Sequence, residues 1–160
     1  MTPRVAAYLD YNATSPPLDE VVDVIANAMR SSWANASSIH APGAEARYHI
    51  EKARRAILRA LDAPPGYDLV FVPSATFANN LVIHGFAKKH AVASNVEHAA
   101  VLEPLVHRAQ NFGLKLDLAR ADEWGRVAPR AITDKINAET SLVSVMAANN
   151  ELGTVNPVAD

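Results

Sequence analysis

The chain has 160 residues, 49% of them hydrophobic and 20% charged, which is the composition of a globular protein rather than a disordered or fibrous one. A formal net charge of −2, with both signs mixed along the chain, gives no electrostatic footprint for nucleic acid or an anionic membrane. There is no cysteine, which excludes disulfides, thiolate metal sites and a cysteine nucleophile within these residues.

In chain order, "VAAYLDY" reads as strand-like or extended. Its apolar run, residues 5–9, is too short for a signal-peptide core, and no run approaches the length of a membrane span. The expectation is a cytoplasmic protein, in which the sequons at Asn12 and Asn35 are chance matches. Residues 18–32 predict a helix with Val21, Val22, Ile25, Ala28 and Met29 on one face. "SSWANASSIHAPG" is a polar turn region, and 44–61 predicts a long helix, with Tyr48, Ile50, Ala53, Ile57, Leu58 and Leu61 at helical spacing and "DAPPG" as its stop.

From there strand and helix alternate. "DLVFVPS" is an apolar run of strand length, followed by a helix in "ATFANNLVIHGFAKKH". "AVASNV" predicts a buried strand, followed by an amphipathic helix in "HAAVLEPLVHRAQNFG", with Gly113 as its C-cap. "KLDLAR" is a strand, "PRAITDKINA" a short helix with Pro129 in its first turn, and "SLVSVMAA" the last strand; Pro157 predicts the start of one more helix. The alternation implies an α/β fold, a parallel or mixed sheet with helices on both faces.

Ligands of such sheets sit beyond the carboxyl ends of the strands. That rule selects Ser74-Ala75-Thr76, Glu97-His98 and Asn149-Asn150-Glu151. The first is a helix start whose N–H groups and hydroxyls suit an anion, or a plain Ser/Thr cap. The second offers a histidine for acid–base work or ring stacking, or simply a helix cap. The third offers amides that donate and accept, or an Asx turn that satisfies its own backbone. His40, His49, His84, His90 and His107 fall on predicted helices or turns without metal-ligand spacing, so no metal is expected. "NASSIHAPG" reads as a surface loop rich in small polar groups.

Taken together, "YLDYNAT", "NASSIHAPGAEAR", "VPSATFANN", "VEHAAVL" and "MAANNELGTVNPVAD" resemble, in order and spacing, the cysteine desulfurases of the class V aminotransferase family, which use pyridoxal phosphate. The resemblance implies a three-layer αβα large domain with a mostly parallel, mixed sheet, incomplete here. Residues 1–15 would belong to the small domain and 16–160 to the first part of the large one. It implies that Ala75 and Thr76 contact the cofactor phosphate, that His98 stacks on the ring and moves protons, and that Asn150 bonds the phenolic oxygen. It implies L-cysteine as substrate, a homodimer and a sulfur-acceptor protein. The sequence departs from the family at Ser74 and Phe77, where glycine and glutamate are usual, and at Ala36, where proline is. None of Lys52, Lys88, Lys89, Lys115 and Lys135 stands in the family's Ser-x-His-Lys context. The chain is therefore expected to be the N-terminal part of an enzyme whose Schiff-base lysine and nucleophilic cysteine come from the remainder, and to be inactive alone. Other class V lyases or aminotransferases, and a non-catalytic paralogue that acts as a binding subunit, are the alternatives.

Overall fold

The computed structural model describes residues 7–159, which form two compact units that meet in sequence at Phe71 and Val72. In the first unit, α1 (Asp19–Ser31) and α2 (Ala41–Ala60) occupy the predicted segments, α2 starting earlier than its periodicity suggests. The early start has a local cause: His40 Nδ1 accepts from Gly43 N at 3.3 Å, and Pro42 suits the first turn. "NASSIHAPG" is more than a loose loop. Asn35 Oδ1 accepts from Ser37 N, Ser38 N bonds Asn35 O, and Arg47 reaches back to Ala36 O at 2.7 Å. The turn lies so close to Gly43 that a Cβ there would stand 2.6 Å from Ser38 O and 2.8 Å from Asn35 O. Of the opening extended segment, Val5 and Ala6 lie outside the described residues, and 7–10 carry no regular structure.

The second unit holds α3 (Ala75–Phe86), β1 (His90–Ser94), α4 (Ala99–Asn111), β2 (Lys115–Ala119), α5 (Pro129–Thr133) and β3 (Thr140–Ser144). Its three strands pair in the order β2-β1-β3, all parallel. The antiparallel element of the expected mixed sheet is reduced, among the described residues, to one isolated bridge between Ala148 and Val155. β1 is buried along its whole length and alternates between two cores. Ala91 and Ala93 face Ile83, Ala87, Leu105 and Leu114 under α3 and α4, while Val92 faces Ala119, Val127 and Ile132 under α5. Helices thus cover both faces, and small residues on the α3/α4 side let those helices pack close to the backbone.

Several predicted elements differ, among them the last strand, which ends at Ser144 rather than Ala148. The run 69–72 carries no regular structure and joins no sheet: a strand exists only when a neighbour completes its ladder, and none of the described residues offers one. Val70 and Phe71 remain exposed. Helix α3 ends at Phe86 rather than running into "AKKH", because tertiary partners take over its last groups: Arg108 donates to Ala87 O at 2.9 Å and Ser141 Oγ accepts from Lys88 N at 2.9 Å. His90 is consequently a strand residue, not a helix or turn residue. Helix α5 is shorter than expected because Asn137 bonds Glu139 N and His90 instead of continuing the helix. No helix follows Pro157 within the described residues. The C-cap of α4 is Phe112, one residue before the anticipated Gly113, which follows it at φ +70°.

The amino-terminal edge of the sheet is tied by side chains. Buried His90 bonds Thr140 Oγ1 at 2.7 Å on β3 and Asp117 Oδ2 at 3.1 Å on β2. Exposed Glu139 meets Lys115 and Lys89, whose bond and charges hold its carboxyl below the ordinary glutamate value. Among the described residues no helix is long and apolar enough to cross a membrane.

Gly43→Ala tests the close approach in the first unit. It should lower stability by about 2 kcal/mol, the usual cost of forcing an atom into a filled space, measured as a shift of the urea midpoint at constant slope.

Candidate functional site

The strand order 2-1-3 contains a reversal. From β1 the chain crosses to β2 through α4 on one face, then returns past β1 to β3 through α5 on the other. Connections that leave two neighbouring parallel strands in opposite directions open a crevice at their carboxyl ends, where α/β proteins bind ligands. The strands β1 and β3 are neighbours, and the segments that follow their tips, the two sides of a candidate crevice, are 95–98 and 145–156.

His98 is the N-cap of α4, with φ −60° and ψ 148°. Its Nδ1 accepts from Ala100 N at 3.0 Å. The cap reading and the ligand reading are therefore compatible: the cap occupies Nδ1, fixes the ring, and leaves Nε2 as the exposed nitrogen that carries the proton of the neutral ring.

After β3 the chain forms a small hairpin. Asn149 N bonds Thr154 O, Gly153 N bonds Asn149 O, and Asn156 N bonds Ala147 O. Gly153 adopts φ +73°, which favours glycine. The two asparagines divide the work. Asn149 is buried; its Oδ1 accepts from Glu151 N and Leu152 N, and its Nδ2 donates to Val96 O at 3.2 Å in the loop after β1. Asn150, next to it, is exposed, and among the described residues its side chain takes no hydrogen-bond partner. The Asx-turn reading thus holds for Asn149 and leaves Asn150 available.

At the start of α3, Ser74 Oγ accepts from Phe77 N at 3.1 Å, so the serine is an N-cap. Ala75 and Thr76 are exposed; among the described residues their N–H groups and the Thr76 hydroxyl have no partners. Helix α3 packs on α4 and β3, and Asn79, Val82 and Ile83 line a cavity of about 150 Å³ with Val101, Leu142, Val143 and Ser144. That cavity lies between the middle of α3, the first turn of α4 and the end of β3. The segments carrying Thr76, His98 and Asn150 are brought to one edge of one sheet.

The strand-end rule selected the pair Glu97-His98 but gave a role only to His98. The Glu97 carboxylate is buried and bridges the two strand tips: Ser94 Oγ donates to Oε1 at 2.6 Å, Met146 N to Oε1 at 2.6 Å, and Ser144 Oγ to Oε2 at 3.2 Å. The available signal was a lone glutamate between a strand and an amphipathic helix, without a basic residue one helical turn away. On the other side of the same loop, Asn95 Oδ1 accepts from Ala121 N at 2.8 Å, just beyond β2. Among the described residues no group of three His, Cys, Asp or Glu side chains could hold a metal ion.

The chain is similar to known proteins in both sequence and structure. The model of the aminotransferase class-V family matches residues 7–160. A cysteine desulfurase IscS of Dictyoglomus turgidum is 37% identical over 159 residues, an alignment covering 96% of this chain and 40% of that protein. A selenocysteine lyase of Xenopus tropicalis is 33% identical over 172 residues, covering 96% and 40%. Among solved structures, a NifS-like protein superposes with a TM-score of 0.89 at 33% identity over 94% of this chain and 43% of the other. SspA in complex with cysteine gives 0.87 at 30% identity, over 94% and 45%. The chain thus spans about 40% of the length of the curated relatives it matches.

Asn149→Ala should cost about 1–3 kcal/mol by orphaning the hairpin amides. Hydrogen exchange at Glu151 and Leu152 should speed up markedly while exchange in β1 stays slow.

Proposed function

Because the chain belongs to the class V aminotransferase family, whose members depend on pyridoxal phosphate, we propose that it supplies the phosphate- and ring-binding part of a cysteine desulfurase. The observation that carries this reading is the donor set at one sheet edge, whose chemistry fits the cofactor group by group. A dianionic phosphate suits the unpaired N–H groups of Ala75 and Thr76, the Thr76 hydroxyl and the positive end of a twelve-residue helix. A flat aromatic ring suits the exposed, cap-oriented imidazole of His98. A phenolic oxygen suits the free amide of Asn150. The departure at Ser74 is harmless in this reading, since its hydroxyl is spent on the helix cap and the neighbouring donors remain free.

Bound there, pyridoxal phosphate supplies an electron sink for the amino-acid substrate. The chain's own residues bind, orient and move a proton. With Nδ1 engaged by Ala100 N, His98 can exchange a proton outward only through Nε2, which makes that atom the acid or base of this part of the site. Lys88, Lys89 and Lys115 stand where β1 and β2 begin, at the edge opposite His98, and the chain has no cysteine. This supports a lysine anchor and a sulfur-accepting cysteine drawn from polypeptide other than these 160 residues.

The substrate in this proposal is L-cysteine, converted to L-alanine with the sulfur left as a persulfide for iron–sulfur cluster assembly or another sulfur transfer. The similarity to SspA in complex with cysteine and to the IscS relative favours cysteine; the similarity to a selenocysteine lyase keeps the selenium analogue as a second substrate to be assayed. By the same family resemblance, the proposal includes assignment of 1–15 to the small domain and 16–160 to the large one, a homodimer, a sulfur-acceptor protein and a cytoplasmic setting.

The test is a titration of the purified chain with pyridoxal phosphate, followed by the cofactor's absorbance and fluorescence. Saturable binding is expected. Thr76→Val should weaken it roughly tenfold, the worth of one hydrogen bond to a charged group, and His98→Ala should weaken it and remove the ring's spectral perturbation. Absence of saturable binding, or a Thr76→Val variant that binds like the parent, would contradict the reading.

A further inference from the structure

We propose that Glu97 is a positioning residue for this site, acting through His98 and Asn150 rather than touching the bound ring. The inference rests on the cofactor reading above. Its basis is the arrangement of donors around one buried carboxylate. The ladders of β1 and β3 end at Ala93 and Ser144, and beyond them no backbone pairing holds the two tips together among the described residues. Glu97 takes over there. Its Oε1 receives the Ser94 hydroxyl from β1 and the Met146 amide from the segment after β3; its Oε2 receives the Ser144 hydroxyl. All three partners donate, and no cation touches the carboxylate among the described residues. The group is thus built into the protein as an acceptor with two oxygens, in a setting where charge-assisted bonds are strong.

Two links carry this clamp to the ligand side. Through the chain, the fixed Cα of Glu97 sets the peptide that begins His98, and with it the geometry by which Nδ1 caps Ala100 N. Through space, the carbonyl of Val96, the residue before Glu97, accepts from Asn149 Nδ2, which anchors the hairpin presenting Asn150. Release of Glu97 therefore frees both walls of the crevice, the imidazole and the exposed amide.

Substitutions separate this role from general stability. In Glu97→Gln the amide oxygen serves Ser94 and Met146, and the amide nitrogen donates to Ser144 Oγ, whose hydroxyl can turn to accept. The clamp survives without its charge. Glu97→Ala removes it, and Glu97→Asp is one methylene too short to span both tips. Ile132→Ala, in α5 under the other face, serves as the control for lost stability.

The experiment measures the imidazole nitrogen shifts of His98 by NMR and the affinity for pyridoxal phosphate, with Tm recorded for each variant. The parent and Glu97→Gln should show an Nε2-protonated ring and affinities within threefold of each other. Glu97→Ala, or Glu97→Asp if the alanine variant does not fold, should shift the Nδ1 signal toward the average of the two tautomers and weaken binding at least tenfold. Ile132→Ala should lower Tm and leave both readouts near the parent's. The proposal is overturned if Glu97→Asp and Glu97→Ala keep the parent's ring signals, if Glu97→Gln loses as much as alanine, or if Ile132→Ala moves the signals equally. A parent chain that binds no pyridoxal phosphate overturns the cofactor reading instead, and the ring signals alone then decide for or against Glu97.

Discussion

The tips of two parallel strands are joined by one buried carboxylate. Parallel ladders bond evenly along their length but offer nothing past their last pair, so the loops that follow are free to splay unless side chains hold them. Glu97 provides that hold between β1 and β3, with three donors drawn from both sides of the crevice. Burial gives the arrangement its force. In a poorly screened setting each bond is stronger than in water, and an unpaired Met146 N–H or carboxylate would be correspondingly costly.

Around this point the fold separates two tasks. Toward the amino-terminal edge, His90 at the start of β1 bonds Thr140 at the start of β3 and Asp117 in the middle of β2, and Glu139 joins two lysines. At the carboxyl edge, the groups that fix the backbone are distinct from those left outward. Ser74 caps and leaves Ala75 and Thr76 open; Asn149 ties the hairpin and leaves Asn150 open; Nδ1 of His98 caps and leaves Nε2 open. One half of each motif satisfies the protein and the other half is free to meet a ligand. The pairing within each motif explains why a structural and a functional reading of the same residues looked like rivals in the sequence.

Much of this was legible beforehand, and the failures have physical causes. The α1 and α4 stripes and the glycine that follows α4 are local patterns, and local patterns survive folding. The strand rule selected 97–98 and 149–151, which do follow β1 and β3, but it selected 74–76 from a run that forms no strand. The run 69–72 misled because apolar length signals a strand without revealing whether a partner exists to pair with it. The end of α3 was misplaced because Arg108 and Ser141, distant in sequence, take over its last groups. Glu97, selected together with His98, was given no role for the same reason: two of its partners, Ser144 and Met146, are 47 and 49 residues away. His98, beside it, drew attention through its chemistry alone.

The central claim is that these segments of one sheet edge form one receptacle for a phosphorylated, planar ring. The most direct measurement is a residue-by-residue map of the backbone and side-chain amide signals of the isotopically labelled chain as pyridoxal phosphate is added. The account predicts saturable shifts, fitted by one affinity, at Ala75, Thr76, His98 and the Asn150 side chain. Saturable shifts confined elsewhere, such as the cleft beside Arg120 and Arg126 beyond β2, or none at all, would contradict it.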